Sequence, residues 1–459
     1  MTQRNVIWIR NPLATYGIDP NSDGSAQPVS GIILSDGQIQ KILYGGEGWT
    51  GDCDETIDAS RLVVLPGLIN THHHFYQTLT RAMRIALNKP LFQWLGALYP
   101  LWANLTEADV EISTRLAIAE LMLSGCTTSV DHHYLFNKNC RNAIDVQMQV
   151  ATEMGMRTVL TRGSMSLDQS SGGLPPASVV EDEDTILYES ERLIKKWHNA
   201  EDFALNQIAL APCSPFSVTP ELMRATAEIS NKTGVALHTH LAETEDEVAF
   251  CLEKYGVRPI EFLDECDWLN SRAWFAHSIH LTQKEIALLG ARQCGVSHCP
   301  SSNMILSSGI CQVKELSAAG VSVGLAVDGS ASNDHSNLIQ ETRQAFLLPR
   351  LFNSDFTHLD ALRLATLGGS EVLSRPELGH LNTGAAADLA MFDLQDIQFS
   401  GAQDPLAALL SSGAHRAHHV LINGLWKVKE GRLVDMDRIN LIERHHSHAQ
   451  KLWQRAGLT

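Results

Sequence analysis

The sequence lacks any run of apolar residues long enough to cross a membrane. Among its 459 residues, 44% of which are hydrophobic, there is no stretch of about 18 or more apolar residues. The opening segment MTQRNVIWIRNPLATYG contains no long apolar core followed by small residues, so we predict no signal peptide. We therefore expect a soluble globular protein without a membrane partner.

Basic residues are scarce relative to acidic ones. The chain has 35 lysines and arginines against 52 aspartates and glutamates, a formal net charge of −17. Nucleic acids and anionic membrane surfaces repel such a charge, so we expect no nucleic-acid partner. A small neutral or weakly charged substrate is compatible with this composition.

The cysteines lack the pattern of a disulfide framework. They are scattered, odd in number and contain no CxxC pair: Cys53, Cys126, Cys140, Cys213, Cys251, Cys266, Cys294, Cys299 and Cys311. Small secreted proteins that depend on disulfides carry even numbers of regularly spaced cysteines. We therefore predict a reducing, cytoplasmic location.

Short apolar runs alternate with amphipathic helical stretches through the centre of the chain. Eight runs are strand candidates: LVVLPGLIN, TTSVD, RTVLTRG, NQIALAP, VALHTH, AWFAH, GVSHC and SVGLAVD. The helical stretches between them often begin with acidic residues and end at glycine, as in TPELMRATAEISNKTG. Eight strand–helix units predict an α/β fold, a (β/α)8 barrel with its active site at the carboxyl ends of the strands.

Both ends of the chain contain short strands separated by turn residues. VIWIR and SGIILSDGQIQKIL lie near the start, and ADLAMFDL and HHVLINGLWKVKEGRLV lie near the end. We predict that residues 1–65 and 376–459 form one composite, β-sandwich-like domain with a C-terminal helix. Residues 66–375 would then form the catalytic barrel.

Three consecutive histidines follow the first strand candidate of the barrel. Side chains alternate along a strand, so His72 and His74 face one way and His73 faces the other. The HTHLAET segment places His240 at the end of the fifth strand candidate, and His238 lies deeper on the same face. The position of His238 favours a hydrogen-bonding group behind the site, although spacing alone leaves it open as a ligand.

Further ionisable residues follow other strand candidates. Glu243 follows His240, His277 ends AWFAH, and Asp328 ends SVGLAVD. Three imidazoles and one carboxylate suit Zn²⁺ or Fe²⁺ with a position left open for water. Taken singly, Glu243 is equally explained as an acid in the first turn of a helix, and Asp328 as a turn residue before glycine.

Five motifs occur in an order that resembles a known family. PGLINTHHH, HTHLAET, FAHSIHL, SHCPSSNMIL and VDGSASND resemble the amidohydrolase superfamily, specifically its cytosine/guanine deaminase and chlorohydrolase-like branch. The resemblance extends from about residue 60 to 395 and implies a distorted (β/α)8 barrel with a small β-sandwich made from both chain ends.

The resemblance also implies roles for individual residues. The metal ligands would be His72, His74, His240 and Asp328, and catalysis would use Glu243, His277 and Asp328. Binuclear relatives carry a bridging lysine at the end of the fourth strand, where this chain has Pro212 and Cys213. One divalent metal is therefore expected, with Zn²⁺ preferred and Fe²⁺ as the alternative.

Metal ligands do not distinguish the substrates of this branch. The segments THHHFYQTLTRA and LTRGSMSLDQSSGGLPP most closely resemble 8-oxoguanine deaminases, which implies hydrolysis of 8-oxoguanine to urate and ammonia. The alternatives are an s-triazine aminohydrolase of the hydroxyatrazine type and a deaminase of guanine, isocytosine or cytosine. A catalytically silent barrel scaffold is a more distant alternative. Relatives are commonly homo-oligomers, so self-association is expected.

Three residues are expected to contact the substrate. The amide of Gln77 can both donate to and accept from a purine edge, and Arg162 would bind a ring carbonyl unless it pairs with a structural acid. Cys213 stands where many relatives have a histidine and leaves a small, weakly polar group. Three aromatic residues either stack on a flat ring or belong to the core: Trp94, Trp102 and Tyr134.

The remaining histidines match no ligand position of the family. His132 and His133 are expected to line the pocket or lie behind it. Six occur late in the chain, on a solvated surface or, alternatively, in a second metal site: His415, His418, His419, His445, His446 and His448.

Overall fold

A computed structural model describes residues 6–18 and 28–458 of the chain. The strands are β1 (Val6–Arg10), β2 (Ala14–Thr15), β3 (Val29–Ser35), β4 (Gln38–Tyr44), β5 (Glu55–Asp58), β6 (Leu62–Pro66), β7 (Leu68–Asn70), β8 (Cys126–His133), β9 (Arg157–Ser164), β10 (Asn206–Pro212), β11 (Leu237–Leu241), β12 (Ala273–His277), β13 (Gly295–His298), β14 (Ser322–Leu325), β15 (Leu389–Asp393), β16 (His419–Ile422), β17 (Leu425–Lys429) and β18 (Arg432–Leu433).

The helices lie mainly between the strands of the central region. They are α1 (Leu91–Trp102), α2 (Glu107–Leu123), α3 (Ala143–Met154), α4 (Glu183–Trp197), α5 (Pro220–Thr233), α6 (Glu245–Tyr255), α7 (Pro259–Glu265), α8 (Gln283–Ala291), α9 (Pro300–Ile305), α10 (Val313–Ala318), α11 (Leu338–Leu347), α12 (His358–Leu364), α13 (Leu367–Val372), α14 (Pro405–Ala408) and α15 (Arg438–Arg455). Short 3₁₀ turns cover Phe75–Thr80, Gln169–Ser171, Ala177–Val179, Pro349–Leu351 and Ile397–Phe399, and a π-helical turn covers Leu409–Gly413.

The described residues divide into two compact units. The first contains those within Met1–Asn70, Ala119–Thr128 and Asn337–Met436, and the second contains those within Thr71–Ile118, Ser129–Ser336 and Asp437–Thr459. No helix in the described ranges combines the length and the apolar composition that a membrane span needs.

Eight parallel strands, β7 to β14, follow one another in chain order in a single sheet. The amide of Thr71 donates to the carbonyl of Leu325 at 3.0 Å, which brings the end of β14 to the segment that follows β7. The sheet thus nearly closes, and the predicted (β/α)8 barrel is confirmed. All eight strand candidates supply a barrel strand. Strands such as β12, AWFAH, are buried along their whole length, as expected where helices cover a parallel sheet.

The run LVVLPGLIN forms two strands rather than one. Strand β6 pairs antiparallel with β15, whereas β7 belongs to the barrel sheet. The break falls at the Pro66–Gly67 step, where a Cβ on Gly67 would lie 2.1 Å from Oγ1 of Thr127. Only glycine fits this close approach.

The first unit contains two further sheets. Their strand orders are β4-β3-β1-β5 and β18-β17-β16-β15-β6-β2, so strands from both ends of the chain share the second sheet. Apolar residues of both sheets, among them Ile7, Ile32 and Met391, form one buried core. Two sheets that share a core form the β-sandwich expected from the sequence.

Candidate active site

The ionisable residues at the strand ends of the barrel converge on one point. Nε2 of His74 lies 3.2 Å from Nε2 of His240. Oδ1 of Asp328 lies 3.3 Å from Nε2 of His72 and 3.2 Å from Nε2 of His74. All four side chains are buried. The structure therefore brings together the four residues that the family resemblance named as metal ligands.

This donor set fits a divalent metal. Ligands held at about 2.0–2.1 Å in a tetrahedral zinc site lie about 3.3 Å from one another, close to the separations observed here. Nε2 of His72 is buried and forms no hydrogen bond in the described structure, so it keeps a lone pair. Within the described residues, two groups are able to hold a metal ion, and both include His72: one adds His74, His132 and His240, the other His277 and Asp328.

Hydrogen bonds to backbone carbonyls set the tautomers of two histidines. Nδ1 of His74 lies 2.7 Å from the carbonyl of His132, and Nδ1 of His240 lies 2.6 Å from the carbonyl of Cys213. A carbonyl only accepts, so both Nδ1 atoms carry the proton. The Nε2 lone pairs of both rings therefore face the site, as metal ligation requires.

His238 sets the tautomer of His72 in the same way. Nδ1 of His238 donates to the carbonyl of Trp274 at 2.9 Å, which leaves its Nε2 to accept from Nδ1 of His72 at 2.7 Å. The ring of His238 also stacks on the indole of Trp274. His238 thus lies behind His72 and leaves Nε2 of His72 unprotonated.

The pKa shifts favour neutral imidazoles and an ionised carboxylate at the site. Burial, reinforced by neighbouring histidines, lowers the pKa values of His72 and His240 well below the usual value. Burial opposes ionisation of Asp328, but the imidazole groups around it, those of His72, His74 and His277, lower its pKa well below the usual value. Metal ligands need these protonation states.

Glu243 and His277 lie beside the cluster. Oε2 of Glu243 is 3.5 Å from Nε2 of His277, which is 3.9 Å from Oδ2 of Asp328. Burial raises the pKa of Glu243, and the Asp328 charge raises it further. Burial acts to lower the pKa of His277, yet the carboxylates of Glu243 and Asp328 raise it above the usual value. The pair is therefore suited to holding and passing a proton.

The backbone at these strand ends is strained and held in place. Four residues other than glycine adopt positive φ values: Ala242, His277, Ser278 and Asp328. The buried carboxylate of Glu247 accepts from the amides of Ala242 at 2.7 Å and Glu243 at 3.0 Å. Strain of this kind persists only where the surroundings fix it, and it is common at active sites.

Sequence patterns missed the residues that orient the catalytic groups. Ser302 donates to Oδ2 of Asp328 at 2.5 Å, and Nδ1 of His277 donates to Oδ1 of Asn303 at 2.8 Å. Ser308 donates to Oε1 of Glu243 at 3.4 Å. The only sequence signal was the polar run within SHCPSSNMIL, which contains Ser302 and Asn303, whereas Ser308 follows that motif.

A small cavity opens beside the cluster. Its volume is about 30 Å³, and its lining is His74, Gln77, Leu91, Trp94, Leu95, Tyr99, Tyr134, Cys213, Phe216, His240, Glu243, His277, Leu306, Asp328 and Ser332. A water molecule needs roughly 10–15 Å³ by this measure, so the cavity has room for ordered water beside the cluster. Gln77, Cys213, Trp94 and Tyr134 all face this cavity, as the sequence suggested.

Arg162 and Trp102 lie outside this lining. The guanidinium of Arg162 pairs with Glu181 at 2.9 Å and lies 3.8 Å from the ring centre of Phe136. This is the structural ion pair that the sequence left open as the alternative to a ring contact. Trp102 is fully buried in the core and packs edge-on against Tyr76.

The other histidines have separate partners. Nε2 of His73 lies 2.9 Å from Oγ of Ser336, and His133 bonds to the carbonyl of Leu135. The His132 ring stacks on His240, while its Nε2 donates to the carbonyl of Ala211. The possible metal-holding groups of the described chain include none of the six late histidines.

A (β/α)8 barrel with histidines and a carboxylate converging at the carboxyl ends of its strands defines a metal-dependent barrel enzyme. The chain belongs to the amidohydrolase family, whose model matches residues 63–426. The resemblance drawn from the five motifs is therefore confirmed.

Three known proteins are similar to this chain over most of its length. The chain is 52% identical over 447 residues to an 8-oxoguanine deaminase of Pseudomonas aeruginosa, covering 97% of this chain and 98% of that protein. It is 34% identical to a hydroxydechloroatrazine ethylaminohydrolase of Pseudomonas sp. strain ADP, covering 84% and 82% of the two chains. The zinc-complexed crystal structure of an atrazine chlorohydrolase from Arthrobacter aurescens TC1 superposes with a TM-score of 0.90 at 29% identity, over 96% of this chain and 100% of that one.

Proposed function

We propose that the protein is a metal-dependent aminohydrolase that converts 8-oxoguanine and water into urate and ammonia. The observation that carries this proposal is the complete set of converging groups: three imidazoles, one carboxylate and a neighbouring glutamate–histidine pair. The identity of 52% to an 8-oxoguanine deaminase supports the choice of substrate. A scaffold protein would not need this set.

We propose Zn²⁺ as the metal, held by His72, His74, His240 and Asp328. The zinc in a structural neighbour supports this choice, while the donor set itself also suits Fe²⁺. Metal analysis of the purified protein would distinguish the two metals. When bound, such a cation supplies Lewis acidity that lowers the pKa of a water molecule from about 15.7 towards neutrality.

The side chains around the cluster would move the protons. The ionised carboxylate of Asp328 accepts a proton from the attacking water, and His277 orients that water through Nε2. Nδ1 of His277 is committed to Asn303, which fixes the direction of its other nitrogen. The carbon under attack is the ring carbon that carries the exocyclic amine.

Glu243 would carry the proton to the substrate. Its raised pKa allows it to hold a proton in this buried position and to give it to the ring nitrogen beside the attacked carbon. The proton that Asp328 accepted would then pass through Glu243 to the amine, and the proton left on the attacking oxygen would restore the protonated Glu243. The C–N bond then breaks, ammonia leaves and a carbonyl remains.

Gln77 and Cys213 would form part of the substrate pocket. Oε1 of Gln77 accepts from the amide of Ala331 at 3.2 Å, which fixes the side chain beside Gly329. The Cys213 thiol is buried and its pKa is raised to about 12 by burial, so it stays protonated and supplies a small uncharged wall rather than a nucleophile.

A product assay on purified, metal-quantified protein tests the proposal. We expect 8-oxoguanine to yield equimolar urate and ammonia, with guanine and isocytosine as weaker substrates because they share the same 2-amino amide edge. Urate absorbance and coupled ammonia detection measure both products. Release of ethylamine from hydroxyatrazine without urate formation would instead support a triazine aminohydrolase. Silence on all substrates with one metal bound per chain would refute the choice of substrate and leave the reaction class standing.

Replacing Gly329 by alanine should disturb the substrate pocket. A Cβ at this position would lie 1.8 Å from Oε1 of Gln77, so that side chain must leave its place. We expect kcat/KM for 8-oxoguanine to fall by about tenfold or more, the usual effect of one misplaced polar contact, with metal content unchanged. Gly96→Ala, which meets open space, is the matched control. Equal kcat/KM values for both variants would remove Gln77 from the substrate pocket.

Self-association and a cytoplasmic location are further proposals. All nine cysteines are free thiols in the described chain, and eight are buried, which supports a reducing compartment. Light scattering of the purified protein would measure its oligomeric state.

A further inference from the structure

One polar group that lines the cavity has no partner. Tyr99 lies on α1, is almost fully buried and contributes to the cavity wall. Its hydroxyl forms no hydrogen bond in the described structure. Burial, together with the nearby Cys213 and Tyr76 side chains, raises its pKa well above the usual value, so the hydroxyl keeps its proton. A phenol in this state can both donate and accept.

Three other polar groups of the cavity wall are already engaged. The indole of Trp94 donates to the carbonyl of Ala331 at 3.2 Å, and Ser332 donates to Oδ2 of Asp328 at 3.2 Å. The hydroxyl of Tyr134 shares a hydrogen bond with that of Tyr76. An unpaired buried hydroxyl is unfavourable, so Tyr99 stands out as a group that a ligand would satisfy.

The substrate has polar groups on two edges. The amine-bearing carbon and its ring nitrogen must face the catalytic groups. Gln77 packs against Gly329, next to Asp328, and would hydrogen-bond the amide of the six-membered ring that adjoins the amine-bearing carbon. That amide edge also occurs in isocytosine, a single-ring compound. The remaining polar groups of 8-oxoguanine belong to its five-membered ring, which carries a carbonyl and two N–H groups.

We infer that the Tyr99 hydroxyl hydrogen-bonds the oxo-bearing five-membered ring of the substrate and selects for it. The inference rests on the proposed function and deepens it, because it names the residue that recognises the five-membered ring. Single-ring substrates such as isocytosine lack that ring. The hydroxyl becomes paired only when a purine with polar atoms on that ring occupies the cavity. Tyr99 is thus a specificity residue and takes no part in proton transfer.

Tyr99→Phe tests the inference by turnover. We expect kcat/KM for 8-oxoguanine to fall by about tenfold or more and kcat/KM for isocytosine to stay within about twofold. Metal content should not change. The thermal midpoint should not fall, because phenylalanine removes an unpaired hydroxyl without leaving a new one. Tyr188→Phe is the control, since that side chain is exposed on α4 and lies outside the cavity lining.

A binding measurement separates this inference from the proposed reaction. Urate and xanthine differ in the oxygen on the five-membered ring, and calorimetry with either ligand needs no turnover. The wild-type protein should bind urate more tightly than xanthine, and Tyr99→Phe should erase most of that preference. Loss of the preference without 8-oxoguanine turnover would refute the proposed reaction but support the role of Tyr99.

Three results would overturn the role of Tyr99. The first is an unchanged urate preference in Tyr99→Phe, and the second is an absence of urate binding by either protein. The third is an equal fall in kcat/KM for 8-oxoguanine and isocytosine, which would place the contact on the six-membered ring.

Discussion

Glu243→Gln is expected to lower kcat by about 10²–10⁴-fold while the protein keeps its metal. Glutamine preserves the shape of the side chain and its contact with Ser308, but it cannot accept and release the proton that the reaction requires. Because the residues that contact the substrate are otherwise unchanged, KM should change much less than kcat. Steady-state kinetics combined with metal analysis by mass spectrometry would measure both quantities.

The control for this experiment comes from the same turn. Glu245 is exposed in the first turn of α6, so Glu245→Gln makes the same chemical change two residues further on. It should retain wild-type kcat. If Glu243→Gln were as active as Glu245→Gln, Glu243 would not be the proton carrier.

His74→Ala is expected to abolish both metal binding and activity. Nε2 of His74 lies 3.2 Å from both Nε2 of His240 and Oδ1 of Asp328, so its removal takes one ligand from the centre of the cluster. Loss of a ligand from a site that holds its metal through four groups weakens binding by orders of magnitude. We expect purified His74→Ala to contain much less than one metal per chain and to show no turnover above background.

An exposed histidine gives the matched comparison. His446 lies on the surface of α15, and His446→Ala should keep full metal content and activity. Wild-type metal content in His74→Ala would exclude its role as a ligand. Circular dichroism of both variants would show whether the fold itself survives.

The sequence predicted features that depend on short-range periodicity. The alternation of side chains along a strand separated His72 and His74 from His73, and the structure places His73 against Ser336, away from the cluster. The eight apolar runs located the barrel strands because buried parallel strands are apolar on both faces. The domain boundaries predicted at residues 65 and 376 stay a prediction.

Periodicity along the chain could not predict features that depend on contacts between residues far apart in the sequence. Asn303 orients His277 from another segment of the barrel, and nothing in its neighbours along the chain indicates that contact. Glu247 looks like an ordinary acid in the first turn of α6, yet it holds the turn that presents Glu243. The importance of Tyr99 lies in a missing hydrogen bond, which only the surrounding structure reveals.

The mixed lining of the cavity bears on how inhibitors of this protein should be sought. Its wall combines apolar side chains, among them Leu91, Phe216 and Leu306, with the ionisable groups of Glu243 and Asp328. A competitor should therefore join a flat apolar ring to polar atoms along one edge. A compound that only captures divalent metals would inhibit many unrelated metalloenzymes and gain nothing from the apolar wall.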